Sequence, residues 1–195
     1  MKKSLFLVLA VFMIVPCLVT AQEYTIDPGH STVLMKVQRF GVVNVIGRFG
    51  DISGTIVYTT EDIAATSINI NVATDSYTAN NIGGENSAMG PAFLDAANFP
   101  TLSFEATNVE VAKNGYLITG NLTVHGVTKE IQFEGNIIGP LMDLPTQKQS
   151  IALSGTIFID RLDYGVGPNR TLPDGREIIG NRVEIHLEIL AIASH

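Results

Sequence analysis

Cysteine is nearly absent. The 195-residue chain carries one, Cys17, and it falls in a stretch that reads as a cleaved leader. That excludes a disulfide framework and thiol chemistry from the folded domain, so stability must come from core packing. Cations are scarce as well, with twelve Lys and Arg against nineteen Asp and Glu. The four histidines form no H-x-H or H-x-x-x-H pair and no Cys/His cluster, which leaves no metal-ligand set. No helical period of about 10–15 residues separates the apolar stretches, and this excludes parallel βαβ units.

The N-terminus has its own pattern. Lys2 and Lys3 precede an unbroken apolar run from Leu5 to Val15, followed by Pro16 and then Val19-Thr20-Ala21. Together these make a secretory signal peptide, residues 1–21, with cleavage after Ala21. The run is shorter than the roughly 20 residues of a spanning helix, and Pro16 interrupts it. A lipid anchor on Cys17 would need a small residue before it, where Pro16 stands. The folded part is then a single domain, residues 22–195, in an exported, periplasmic setting. Losing Lys2 and Lys3 leaves ten cations against nineteen acids, a net charge of −9. Such a surface repels phosphate backbones and anionic membrane surfaces, which excludes nucleic acid as a partner.

What the chain does have is a period of two. Arg182, Glu184, His186 and Glu188 alternate with Val183, Ile185, Leu187 and Ile189, giving a strand with one wet and one buried face. Similar alternation marks Ser67–Ala73, Phe104 to Val111, Leu117–Val124, Val127–Ile138 and Ile151–Asp160. Thr32–Phe40 and Val43–Tyr58 read as two long strands, with Gly47, Gly50 and Gly54 allowing bends. About eight strands in all predict an all-β fold. An antiparallel eight-stranded barrel accounts for them because closure removes exposed edges; a two-sheet sandwich is the rival. Asp75 to Thr101 is too long for a hairpin and reads as a lid. Its polar first part, "NNIGGENSAMG", reads as loop. Its second part, "PAFLDAANFP", suits a short helix, with Pro91 at the first position.

Catalytic motifs are absent or broken. "GHSTV" at Gly29–Val33 lacks the last glycine and the following helix of a nucleophile elbow. "GVGPNR" at Gly165–Arg170 lacks the helix N-terminus a phosphate loop needs. Asp27 and His30 are a candidate acid–base pair. They carry the alternative of an exported hydrolase or isomerase acting on an apolar substrate. His186 falls on a wet face. "GNLTVHGVTKEIQF" changes parity at His125-Gly126, so it reads as a hairpin with Gly126 in the positive-φ turn and His125 facing solvent.

Apolar capacity remains. An eight-stranded barrel either fills itself or holds one small ligand. Candidates for the wall and lid of such a space are Val33, Met35, Val37 and Phe40 from the opening strand, then Phe49. The lid adds Phe93, Leu94 and Phe99, followed by Phe104. The hairpin contributes Leu122, Val124, Ile131 and Phe133, and Phe158 completes the set. A solid core serving as a stress-response interaction protein is the third alternative.

Five segments in order carry a family resemblance. They are "YTIDPGHSTVLMKVQRFGVVNVIGRFGDISGTIVY", "FLDAANFPTLSFE", "GNLTVHGVTKEIQF", "IDRLDYGVG" and "GNRVEIHLEILA". The chain resembles the YceI-like polyisoprenoid-binding proteins. The resemblance implies an extended lipocalin-like barrel with an apolar tunnel for a long isoprenoid chain, such as a quinone or polyprenyl phosphate. It implies no catalytic residue, no metal and no cofactor, and a membrane only as the source or acceptor of lipid. Asp27, His30 and Ser31 match the opening motif of that family; Phe93, Asp95, Phe99 and Pro100 match its lid. The chain departs from the family at Arg39-Phe40, where a histidine is frequent, and before the lid, where Glu85 is the only charge.

Overall fold

The alternating stretches all become strands, because each can bury one face only against a partner of the same period. The structure is a computed structural model; it describes residues 21–195, and the expected leader lies outside the described residues. The strands are β1 (Gln22–Ile26), β2 (Thr32–Arg39), β3 (Val43–Phe49), β4 (Ile52–Tyr58), β5 (Ser67–Ala73) and β6 (Tyr77–Thr78). Then follow β7 (Thr101–Ala112), β8 (Gly115–Val124), β9 (Val127–Asp143), β10 (Lys148–Asp160) and β11 (Ile179–Ala193).

Eight of these close an antiparallel barrel in the order β1-β4-β5-β7-β8-β9-β10-β11, with β11 returning to β1. The other three, β2, β3 and β6, continue from β11 as a flap at one end. The 15 residues of β11 make this arrangement possible. Its last turnings, Ala191 to Ala193, pair with β1, and Ile179 to Glu188 pair with β2. The stretch Val43–Tyr58, expected as one strand, is accordingly two. It breaks at Gly50-Asp51, where it leaves one partner (β2) for another (β1). Strands β1 and β6, five and two residues long, are too short for their period to show in sequence.

The helix also lies elsewhere than expected. It is α1 (Ile82–Met89), in the polar glycine-rich part, whereas Pro91–Pro100 forms linked turns. End chemistry outweighs weak propensity here. The Asn81 Oδ1 accepts from the Gly84 N–H at 3.0 Å, and the Glu85 carboxylate reaches back to the Ala79 N–H at 2.6 Å.

The core fills the barrel from the far end upward. Tyr24, Ile56, Ile68, Ile118, Leu153 and Ala191 are each at most 1% exposed. Above them the Phe104 and Phe133 rings meet edge to face with centroids 5.7 Å apart. Glycines on adjoining strands make room for the pair. A Cβ on Gly155 would stand 2.8 Å from the Phe133 ring, and one on Gly120 would stand 2.5 Å from the Phe104 ring.

Candidate functional site

Above this aromatic floor the interior opens. An inner chamber of about 100 Å³ lies within the barrel wall, and a wider mouth of about 660 Å³ lies between β2, β3 and α1. Met35, Leu94, Arg161, Val166 and Val183 border both, so the two spaces adjoin. The space is shorter than the tunnel implied by the resemblance, because the aromatic pair closes it below.

The chamber wall uses seven of the expected residues: Val33, Met35, Phe49, Leu94, Phe104, Leu122 and Val124. Val37 and Phe93 line the mouth. Five others stand apart from both spaces. Phe133 is buried in the floor behind Phe104, and Ile131 packs against the core without reaching the chamber. Phe40 sits at the β2–β3 turn with φ +55° and the Arg39 guanidinium 4.2 Å above its ring. Phe99 packs on His125, centroids 4.3 Å apart. Phe158 points outward, 51% exposed, beneath the guanidinium of Arg182. Ile157 and Ile159 on either side of it face the chamber, so strand parity alone places Phe158 outside.

Other wall residues were not singled out by sequence: Ile70, Val72, Leu102, Val166 and Leu187. Parity marks Ile70, Val72, Leu102 and Leu187, each on the apolar face of its strand, whereas Val166 lies in the loop after β10. Tyr77 had no such signal. Its ring lies over Gly47, where a Cβ would stand 2.2 Å away, and 5.2 Å from Phe49, closing the join between β3 and the lid. Burial, and then the neighbouring Glu85, raise its hydroxyl pKa.

Arg161 is the one charged group in the wall of both spaces, and it is only 3% exposed. Its guanidinium donates to the carbonyls of Gly180 (3.1 Å), Val166 (2.6 Å), Pro168 (3.1 Å) and Ile179 (3.1 Å). A further bond runs to Asn181 Oδ1 at 2.9 Å, and Asn181 in turn donates to the Glu177 carboxylate. The charge is thereby shared with an acid one residue away rather than paired directly. Burial lowers its pKa, against Glu177 and Asp160, which raise it. These bonds tie the loop after β10 to the start of β11 and so fix one side of the mouth.

Asp27, His30 and Ser31 lie outside the cavity, at the break between β1 and β2. Asp27 Oδ1 caps the 3-10 turn through the Gly29 N–H at 2.8 Å, and Oδ2 meets His30 Nδ1 at 2.7 Å. The His30 side chain is 75% exposed. That hydrogen bond lowers the Asp27 pKa, against desolvation. Ser31 Oγ accepts from the Leu190 N–H at 3.0 Å and donates to the Asp27 carbonyl at 2.7 Å, replacing the ladder bonds lost at the break. The motif is a splice between partners of β11, and this removes Asp27 and His30 as an acid–base pair within the cavity.

His125 and His186 are structural. His125 does turn the β8–β9 hairpin, with φ +50° followed by Gly126 at φ +74°, and it is half-buried, one side of its ring tilted against Phe99. His186, on the outer face of β11, bridges Thr156 Oγ1 (3.1 Å) and Glu184 (2.6 Å), and Lys36 completes the row at 3.0 Å from Glu184. Among the described residues no three His, Cys, Asp or Glu side chains gather as a metal site.

Comparison with known proteins agrees with this architecture. The YceI-like domain model matches residues 24–191. A UPF0312 protein of Vibrio cholerae is 34% identical over 170 residues, covering 85% of this chain and 89% of its own. A UPF0312 protein of Shewanella sp. is 33% identical, covering 85% and 88%. Burkholderia cenocepacia BcnA superposes with a TM-score of 0.75 at 18% identity, over 85% of this chain and 99% of that one. A polyisoprenoid binding domain from Saccharophagus degradans gives a TM-score of 0.62 at 14% identity, over 87% and 98%.

Proposed function

The chain belongs to the YceI-like family, and on that premise we propose that it is an exported carrier or store that holds a long isoprenoid chain of the quinone or polyprenyl phosphate type, without acting on it chemically. The observation that carries this reading is the wall of the chamber. Apart from Ser103 and Arg161 it is built from apolar side chains, and it opens into the mouth. The polyisoprenoid binding domain of Saccharophagus degradans, alike in fold, supports the same ligand class.

The energetics suit a tail better than a head group. Each buried methylene is worth about 0.8 kcal/mol, so a few isoprene units offset the cost of association. The end of the tail occupies the chamber, the next units lie along the mouth, and a longer chain protrudes past α1.

Native mass spectrometry of protein purified from its own host tests this. We expect an apolar adduct on the wild type and its loss from Leu122→Trp, which fills the chamber; a thermal melt of the variant checks that it folds. No adduct on the wild type in repeated preparations would overturn the proposal.

A further inference from the structure

Four exposed large apolar side chains surround the mouth. Val42 (75%), Val43 (54%) and Ile46 (60%) form the tip and outer edge of the β2–β3 hairpin, and Ile82 (76%) starts α1 on the facing side. Val43 and Ile46 themselves border the opening, as do Asn81 and Gly83 on either side of Ile82. Single exposed apolar residues are ordinary. A set on both lips of one opening marks an interaction surface.

The charges at this end run against the rest of the chain. Arg39 lines the mouth, and Arg48 shares the outer face of β3 with Ile46. Among the described residues neither meets a carboxylate in an ion pair. Arg176 braces the hairpin through the Phe40 carbonyl at 3.1 Å. Of the acids nearby, Asp174 is paired with Arg176, while Glu177 and Glu85 keep their charge and accept from Asn181 and the Ala79 N–H. A net negative protein thus presents apolar tips and unpaired arginines around the opening of its chamber.

We propose that the mouth docks on an anionic lipid bilayer, with Val42, Val43, Ile46 and Ile82 entering the headgroup layer and Arg39 and Arg48 meeting lipid phosphates. The proposal rests on the carrier reading. It adds that the protein takes its ligand directly from the bilayer, because docking sets the opening against the acyl layer and spares the isoprenoid tail any passage through water. Docking of this kind confines the repulsion expected from net charge to the body of the barrel and reverses it locally at the mouth.

Co-sedimentation with vesicles of mixed phosphatidylcholine and phosphatidylglycerol tests it, with pure phosphatidylcholine vesicles alongside. The full domain should bind the mixed vesicles more tightly, and added salt should weaken the binding. Val42→Asp with Ile82→Asp should reduce binding by about tenfold or more. Arg39→Gln and Arg48→Gln should each reduce it by about fivefold. Leu144→Asp, an equally exposed apolar site (77%) at the far end of the barrel, should leave it unchanged. No vesicle binding, or the same loss from Leu144→Asp, overturns the proposal. So does sedimentation velocity showing that the Val42/Ile82 variant abolishes self-association instead. The adduct measurement separates the two readings. An adduct without vesicle binding removes docking alone, and vesicle binding without an adduct removes the carrier reading alone.

Discussion

Phe104 stands directly over Gly120. A methyl group on that glycine would lie 2.5 Å from the ring and 2.5 Å from the Glu105 carbonyl oxygen. The ring could move only into the chamber, and the carbonyl belongs to the ladder between β7 and β8. Gly120→Ala should therefore lower stability by about 1–3 kcal/mol through overpacking. Urea unfolding monitored by circular dichroism measures it, and an unchanged midpoint would contradict the placement of the ring.

Arg161 should tolerate even a conservative change poorly. A lysine at this site keeps the charge but loses the fork that reaches four carbonyls and Asn181 at once. Arg161→Lys leaves several buried acceptors without donors, at about 1–3 kcal/mol for each one stranded. Loss of roughly 3 kcal/mol or more in denaturant unfolding is expected, together with faster amide exchange across residues 165–181. A variant as stable as the wild type would show that the loop is held by other contacts.

Sequence revealed the strands better than the way they close. Alternation shows which residues share a face, so the buried sets of β5, β8, β10 and β11 and most of the chamber wall were legible. Phe158 lies outside because Ile157 and Ile159, of opposite parity, take the inner face. The partner exchange on β11 was not legible. It depends on Ser31 and Asp27 satisfying Leu190 across 159 residues of chain, and local pattern carries no information on that distance. The position of α1 was hidden for a related reason: side-chain bonds from Asn81 and Glu85 override a glycine-rich, weakly helical sequence. The role of Arg161 was not legible either, since burial of a cation among carbonyls has no compositional sign.

Alkaline pH should unfold the far end of the barrel first. The Tyr58 hydroxyl meets that of Tyr116 at 3.2 Å, and burial, then this bond, raise its pKa from 10.0 to about 12. The folded state keeps this proton after the unfolded state has begun to lose it. The stabilisation is therefore complete below pH 10 and is lost progressively as pH rises from 10 toward about 12. Urea midpoints taken across that range should fall more steeply for the wild type than for Tyr58→Phe. Parallel slopes would remove Tyr58 as the source.

The aromatic floor should set how much tail the chamber accepts. Phe133 is 5% exposed and supports Phe104 from below without reaching the chamber itself. Phe133→Ala removes that support and lets the void extend toward Ile118, at a stability cost of about 3–5 kcal/mol. The enlarged variant should retain longer saturated or prenyl probes than the wild type does, by native mass spectrometry against a ladder of chain lengths. Phe158→Ala removes a ring of the same size from the outer face, where Arg182 covers it. It should change neither the preferred length nor, beyond about 1 kcal/mol, the stability. If Phe158→Ala shifted the chain-length preference and Phe133→Ala did not, the ligand would lie outside the barrel and the chamber would have no part in holding it.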